Sequence, residues 1–120
     1  MQESGEMYLE TILILANQSP QVRAIDIVNH TGYTKPSVSR AVGLLKDGGY
    51  IEVDSDGYIT LTASGSKLAA HIYERHMLLT KFFIHIGVSE KTAAEDACKI
   101  EHDISNETFA AIKKHVQNMK

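Results

Sequence analysis

The sequence predicts a mainly α-helical protein carrying one small two-stranded hairpin. Three observations lead there. Apolar residues recur at helical spacing through most of the 120 residues. The period changes to two over one stretch, Tyr50-Ile51-Glu52-Val53 and Tyr58-Ile59-Thr60-Leu61, around Asp54-Ser55-Asp56-Gly57. Punctuation is sparse: Pro20, Pro36, and glycines gathered at Gly32, Gly43, Gly48-Gly49, Gly57 and Gly65.

Residues 6–17 carry Met7, Leu9, Ile12, Leu13, Ile14, Leu15 and Ala16, a largely buried helix stopped by Gln18-Ser19-Pro20. Residues 22–30 form a short second helix with Ala24, Ile25, Ile27 and Val28. Gly32 supplies its left-handed exit. Thr34 caps the third helix, Pro36 fits its first turn, and Val38, Ala41, Val42 and Leu45 make an inward face that ends at Gly48-Gly49. Asp56-Gly57 turns the hairpin. Thr62 or Ser64 caps a long helix to about Gly87, and Ser89 caps another to about Asp103. Ser105 opens a last helix striped by Phe109, Ile112 and Val116.

Composition limits the function classes. An apolar share of 43% and a charged share of 22% suit one compact protein, not a disordered tail or a fibre. No apolar run approaches the ~20 residues of a membrane span. The acidic, polar start Met1-Gln2-Glu3-Ser4-Gly5-Glu6 does not suit a signal peptide, and a single cysteine makes no internal disulfide, so a cytoplasmic protein is expected. Nothing supplies a hydrolytic nucleophile or a phosphate cradle, so neither an enzyme nor a small organic substrate is expected. The net charge of −3 opposes indiscriminate polyanion binding and leaves room for a local basic patch.

Helix, short helix, glycine turn, helix, hairpin is the order of a winged helix-turn-helix. Its second central helix enters the major groove. The residues expected at DNA are therefore Thr34, Lys35, Pro36, Ser37, Ser39 and Arg40, which are small, polar or basic and lie off the inward face. Hydroxyls and Lys35 suit phosphates, and Arg40 suits a bidentate contact to guanine. Asp54 and Asp56 predict a small contribution from the wing. The domains divide as 1–62, the winged helix, and 63–120, a helical remainder.

That remainder holds a sharper signal. Cys98, Glu101 and His102 fall at i, i+3 and i+4 of one predicted helix, placing a thiolate, a carboxylate and an imidazole on one face. Met7 and Glu10 share a face of the first helix, and His76 lies midway along the long one. Taken singly, each has an ordinary structural explanation. Together, three ligand types on one face are hard to account for without a metal. His30, His71, His85 and His115 have no such company.

The chain resembles the DtxR/MntR family of metal-dependent transcriptional repressors. The resemblance runs from about Glu6 to Val116. It is carried by Glu6-Met7-Tyr8-Leu9-Glu10-Thr11-Ile12, Lys35-Pro36-Ser37-Val38-Ser39, Leu61-Thr62-Ala63-Ser64-Gly65, Arg75-His76-Met77-Leu78-Leu79 and Ala97-Cys98-Lys99-Ile100-Glu101-His102. It implies a homodimer with a helical dimerisation and metal-binding region. Metal held between the two domains would fix the recognition helices for a palindromic operator.

Carried over by resemblance, Met7 and Cys98 match ligands of iron-type members and Glu10 a ligand of manganese-type members. His76, Glu101 and His102 match ligands common to both. Thr80 and Ala94 stand where the iron-type ancillary site has a glutamate and a histidine, so that pair is incomplete here. The chain ends at Lys120 without the SH3-like domain of iron-type members. Sulfur from Met7 and Cys98 favours Fe(II) as corepressor, with Mn(II) the close alternative; Co(II), Ni(II) and Zn(II) are expected to bind in vitro. The competing expectation is a winged-helix regulator that senses an oxidant or a small ligand through Cys98 without metal.

Overall fold

The computed structural model describes residues 3–119. Met1 and Gln2, which open the acidic N-terminal segment, and Lys120 lie outside the described residues. The elements run α1 (Glu3–Gln18), α2 (Ala24–Thr31), α3 (Lys35–Asp47), β1 (Ile51–Val53), β2 (Ile59–Leu61), α4 (Ala63–His85), α5 (Glu90–Ile100) and α6 (Asn106–Gln117). This is the expected winged helix-turn-helix followed by helices. No helix among the described residues is long and apolar enough to cross a membrane. Two compact units form, Met1–Ala70 and His71–Lys120.

Local chemistry sets the boundaries in the first unit. Arg23 N–H donates to the Asp26 carboxylate at 2.8 Å, opening α2. Gly32 closes it at φ 78°, its N–H donating to Val28 O at 2.8 Å. Thr34 Oγ1 caps α3 by accepting from Ser37 N at 3.3 Å. The strands pair antiparallel as Ile51↔Leu61, Glu52↔Thr60 and Val53↔Ile59. That register puts Ile51, Val53, Ile59 and Leu61 inward and leaves Glu52 and Thr60 exposed. Asp54 Oδ1 holds the turn by accepting from Asp56 N and Tyr58 N, both at 2.9 Å. The core joins Tyr8, Leu9 and Ile12 of α1 to Ile27, Val38, Leu45, Ile51, Ile59 and Ala69. Each large aliphatic member contributes roughly 1.5–3 kcal/mol by leaving water.

The start of α4 belongs to this unit and lies hard against Tyr50, the residue that leads into the wing. A Cβ on Gly65 would collide with the carbonyl oxygen and carbon of Tyr50, which are backbone atoms with no rotamer to escape into. Gly65→Ala is therefore expected to cost about 3 kcal/mol, the upper end for overpacking. A urea-unfolding midpoint within error of the wild type would show that the contact yields.

In the second unit, Ile72 and Leu79 of α4, Ala93 and Ala97 of α5, and Phe109 and Val116 of α6 are buried. Ser89 and Ser105 cap α5 and α6 by accepting from Thr92 N and Thr108 N. One boundary differs from expectation. The predicted helix to about Asp103 stops at Ile100, and residues 101–103 form a turn. Glu101 N still donates to Ala97 O, but Asp103 N turns back to Ile100 O at 2.9 Å. The chain tightens here before Ser105 caps the start of α6. Glu101 is thus the C-cap of the helix that carries Cys98, and His102 lies in the turn beyond it.

Candidate metal centre and nucleic-acid interface

Within the second unit, three of the expected ligands converge. Glu101 is 1% exposed. Its Oε2 lies 3.0 Å from His76 Nδ1, and its Oε1 lies 3.2 Å from His102 Nε2. The His102 ring is nearly as buried as the carboxylate, while that of His76 keeps a partial opening to solvent. A carboxylate with an imidazole nitrogen on each oxygen is a chelating arrangement.

The donor set fits a divalent first-row metal. Ligands of such a metal sit roughly 2.0–2.2 Å from it, so neighbouring donors stand about 3 Å apart, the spacing Glu101 has to each imidazole taken singly. Glu101 Oε1 is also buried without a hydrogen-bond partner among the described residues, despite the nearby imidazole. Burying a carboxylate oxygen that way is costly unless something positive completes it.

Cys98, one turn earlier on α5, is exposed. Met7 and Glu10 lie one turn apart on α1 in the first unit; Glu10 is buried, and Thr11 Oγ1 donates to Met7 O at 3.0 Å. Tyr8, between them in sequence, packs edge-on against Tyr33 at 5.9 Å. Burial, with Tyr33 adding, raises its phenol above the ordinary tyrosine range, so it stays protonated at neutral pH.

Sequence reasoning missed Arg75. It is buried, yet its Nη1 donates to Glu101 O at 3.1 Å and Ile104 O at 3.2 Å, and its Nη2 to Asn106 Oδ1. Its guanidinium lies over the Phe109 ring, 4.9 Å from the centroid. A signal was present: buried Ala69, Ile72 and Leu79 define the inward stripe of α4, and Arg75 occupies a place in that stripe where an apolar residue would be expected.

On the first unit, Thr34, Lys35, Pro36, Ser37, Ser39 and Arg40 are all exposed, while Val38 on the opposite face is fully buried. Thr34 Oγ1 donates to Ser37 Oγ at 2.9 Å, so those hydroxyls brace the helix start as well as face outward. Lys35 and Arg40 put two cations on this short surface, and the first turn of α3 has no acidic residue.

Comparison with known proteins agrees with both halves. A family model described as the iron dependent repressor, metal binding and dimerisation domain, matches residues 62–120, and a MarR family model matches residues 7–64. The chain is 34% identical over 110 residues to the transcriptional regulator MntR of Escherichia coli O6:H1, covering 92% of this chain and 71% of that protein. It is 30% identical over 122 residues to an HTH-type transcriptional regulator of Methanocaldococcus jannaschii, covering 100% of this chain and 98% of that one. Among solved structures, that of the manganese regulator SloR superposes with a TM-score of 0.84 at 25% identity, covering 97% of this chain. This chain spans about half of that one, 54% of its length. Relatives of this kind are regulators, not enzymes. From residue 7 to residue 120, this chain belongs to the DtxR/MntR family of metal-dependent transcriptional repressors.

Proposed function

We propose that this chain is a cytoplasmic, homodimeric repressor whose binding to a palindromic operator is switched on by Fe(II), with Mn(II) the close alternative. The observation that carries the reading is buried Glu101, with an imidazole nitrogen about 3 Å from each of its oxygens. Glu101, His76 and His102 form the core of the ligand set. Cys98 joins from α5, and Met7 and Glu10 from α1, as the family pattern has them. The oxygen and nitrogen donors suit manganese and iron alike, and the two sulfurs favour iron. When bound, the cation supplies the positive charge that offsets these acidic side chains.

On the DNA side, Lys35 and the hydroxyls of Thr34, Ser37 and Ser39 meet phosphates, Pro36 shapes the helix start, and Arg40 reaches a base edge. Two copies present two such helices. Their half-sites must lie roughly 34–36 Å apart, or a multiple of it, on one DNA face, so loosely held copies bind weakly. Preference of the metal for the DNA-competent arrangement is then what makes it a switch.

The test is anaerobic titration of Fe(II) and Mn(II) into metal-free protein, reading fluorescence anisotropy of labelled promoter fragments. Metal is expected to tighten DNA binding by about 5- to 150-fold, reversed by EDTA. The second reading, an oxidant or small-ligand sensor working through Cys98, has one observation in its favour: the thiol is exposed. DNA affinity that ignores both metal and EDTA and responds to peroxide would replace the first reading with the second.

A further inference from the structure

Glu101 is the C-cap of α5, its N–H still bonded to Ala97 O, and His102 lies in the turn beyond it. The carbonyls of that turn lie past the helix ladder and need partners from elsewhere. We infer that Arg75 is the positioning residue of the metal centre, setting Glu101 and His102 from the same helix that carries His76. The inference rests on the metal reading proposed above and adds a residue to it.

The geometry supports this role in three ways. Arg75 Nη1 bonds carbonyls at both ends of the turn, Glu101 O at 3.1 Å and Ile104 O at 3.2 Å. Its Nη2 bonds Asn106 Oδ1, on the first residue of α6, so one planar guanidinium joins the exit of α5 to the entry of α6. All three acceptors are neutral. The charge of Arg75 is directed at backbone carbonyls near a helix C-terminus, where the helix dipole is negative. Phe109 closes the other face of the guanidinium at 4.9 Å.

His76 follows Arg75 directly on α4. One rigid element therefore carries a ligand and the clamp on the other two. A centre whose ligands drift by about half an ångström loses affinity, and groups that orient ligands from behind are typically worth 10- to 100-fold in metal binding. Lysine cannot reproduce the contact, because a single ammonium lacks the forked, planar donors.

The experiment uses the full chain with Co(II) as probe. It reads affinity by competition, the visible d–d bands at saturation, and the thermal midpoint of the metal-free protein. Arg75→Met is expected to weaken Co(II) binding by about 10- to 100-fold and to alter the bands even when saturated. Asn106→Ala, which removes one of three acceptors, should move both readouts the same way by less, and it carries the test if Arg75→Met does not fold. Wild-type affinity and bands in the folded variants, whatever happens to the thermal midpoint, would make Arg75 a fastener of the fold and overturn the inference. A wild-type chain that binds no Co(II) would remove the metal reading itself, and needs no variant to be seen.

Discussion

Glu101→Ala is expected to weaken metal binding by more than about 100-fold, or roughly 2.7 kcal/mol, and to abolish the metal response of DNA binding. The size follows from the position of the carboxylate between two imidazoles, 3.0 Å from one and 3.2 Å from the other. Without it, His76 and His102 each lose the carboxylate they contact, and Glu10 is left as the set's one buried carboxylate. The fold should survive. Glu101 follows α5 instead of sitting within it, and Arg75 bonds its backbone carbonyl, which alanine retains. Metal-free stability should change little, because the several kcal/mol cost of burying a carboxylate is removed along with its imidazole contacts. Calorimetric titration, anisotropy and far-UV circular dichroism on one preparation decide the matter. A folded variant with a wild-type metal midpoint would show that Glu101 is not a ligand. Glu101→Gln separates charge from shape, since it keeps the volume and should still lose most of the affinity.

Much of the fold was legible in the sequence because local signals agreed with one another. Thr34, Pro36 and Gly32 each mark a helix end by a different mechanism, and all three act where expected. The Asp56-Gly57 turn fixed the hairpin register, which put the alternating apolar residues on one face. The end of α5 was less legible. Lys99, Ile100, Glu101 and His102 all tolerate helix, so the only local mark lies beyond them, at the Ser105 cap of α6. In the folded chain Arg75, 26 residues before Glu101, bonds the Glu101 and Ile104 carbonyls that flank the turn. The spacing argument for Cys98, Glu101 and His102 assumed one regular helix. Glu101 meets both His76 and His102, from the C-cap of α5 and not from its regular turns. Arg75 stayed hidden for a related reason: periodicity shows that it faces inward, and only the folded chain shows what satisfies its charge.

Cys98→Glu is expected to shift the ratio of Mn(II) to Fe(II) midpoints toward manganese by about 10- to 100-fold, read by the same anisotropy titration. The donors in mutual contact in the second unit are a carboxylate and two imidazoles on it, a set that separates these two metals poorly. Discrimination must then come from the remaining ligands. A thiolate at Cys98 is the softest of them and rewards iron over manganese, whereas a carboxylate at the same position rewards manganese. Because Cys98 is exposed on the surface of α5, glutamate fits there without a cavity or a clash, so the substitution changes chemistry while leaving the fold alone. Cys98→Ala completes the argument. Losing a ligand should weaken both metals and should cost iron more. If instead both variants keep the wild-type midpoints for both metals, the thiol lies outside the coordination sphere. The choice between iron and manganese would then rest on Met7 and on the supply of each metal in the cell. In every case Co(II), Ni(II) and Zn(II) should remain competent in vitro, because the general affinity order of divalent metals persists whether position 98 offers sulfur or oxygen.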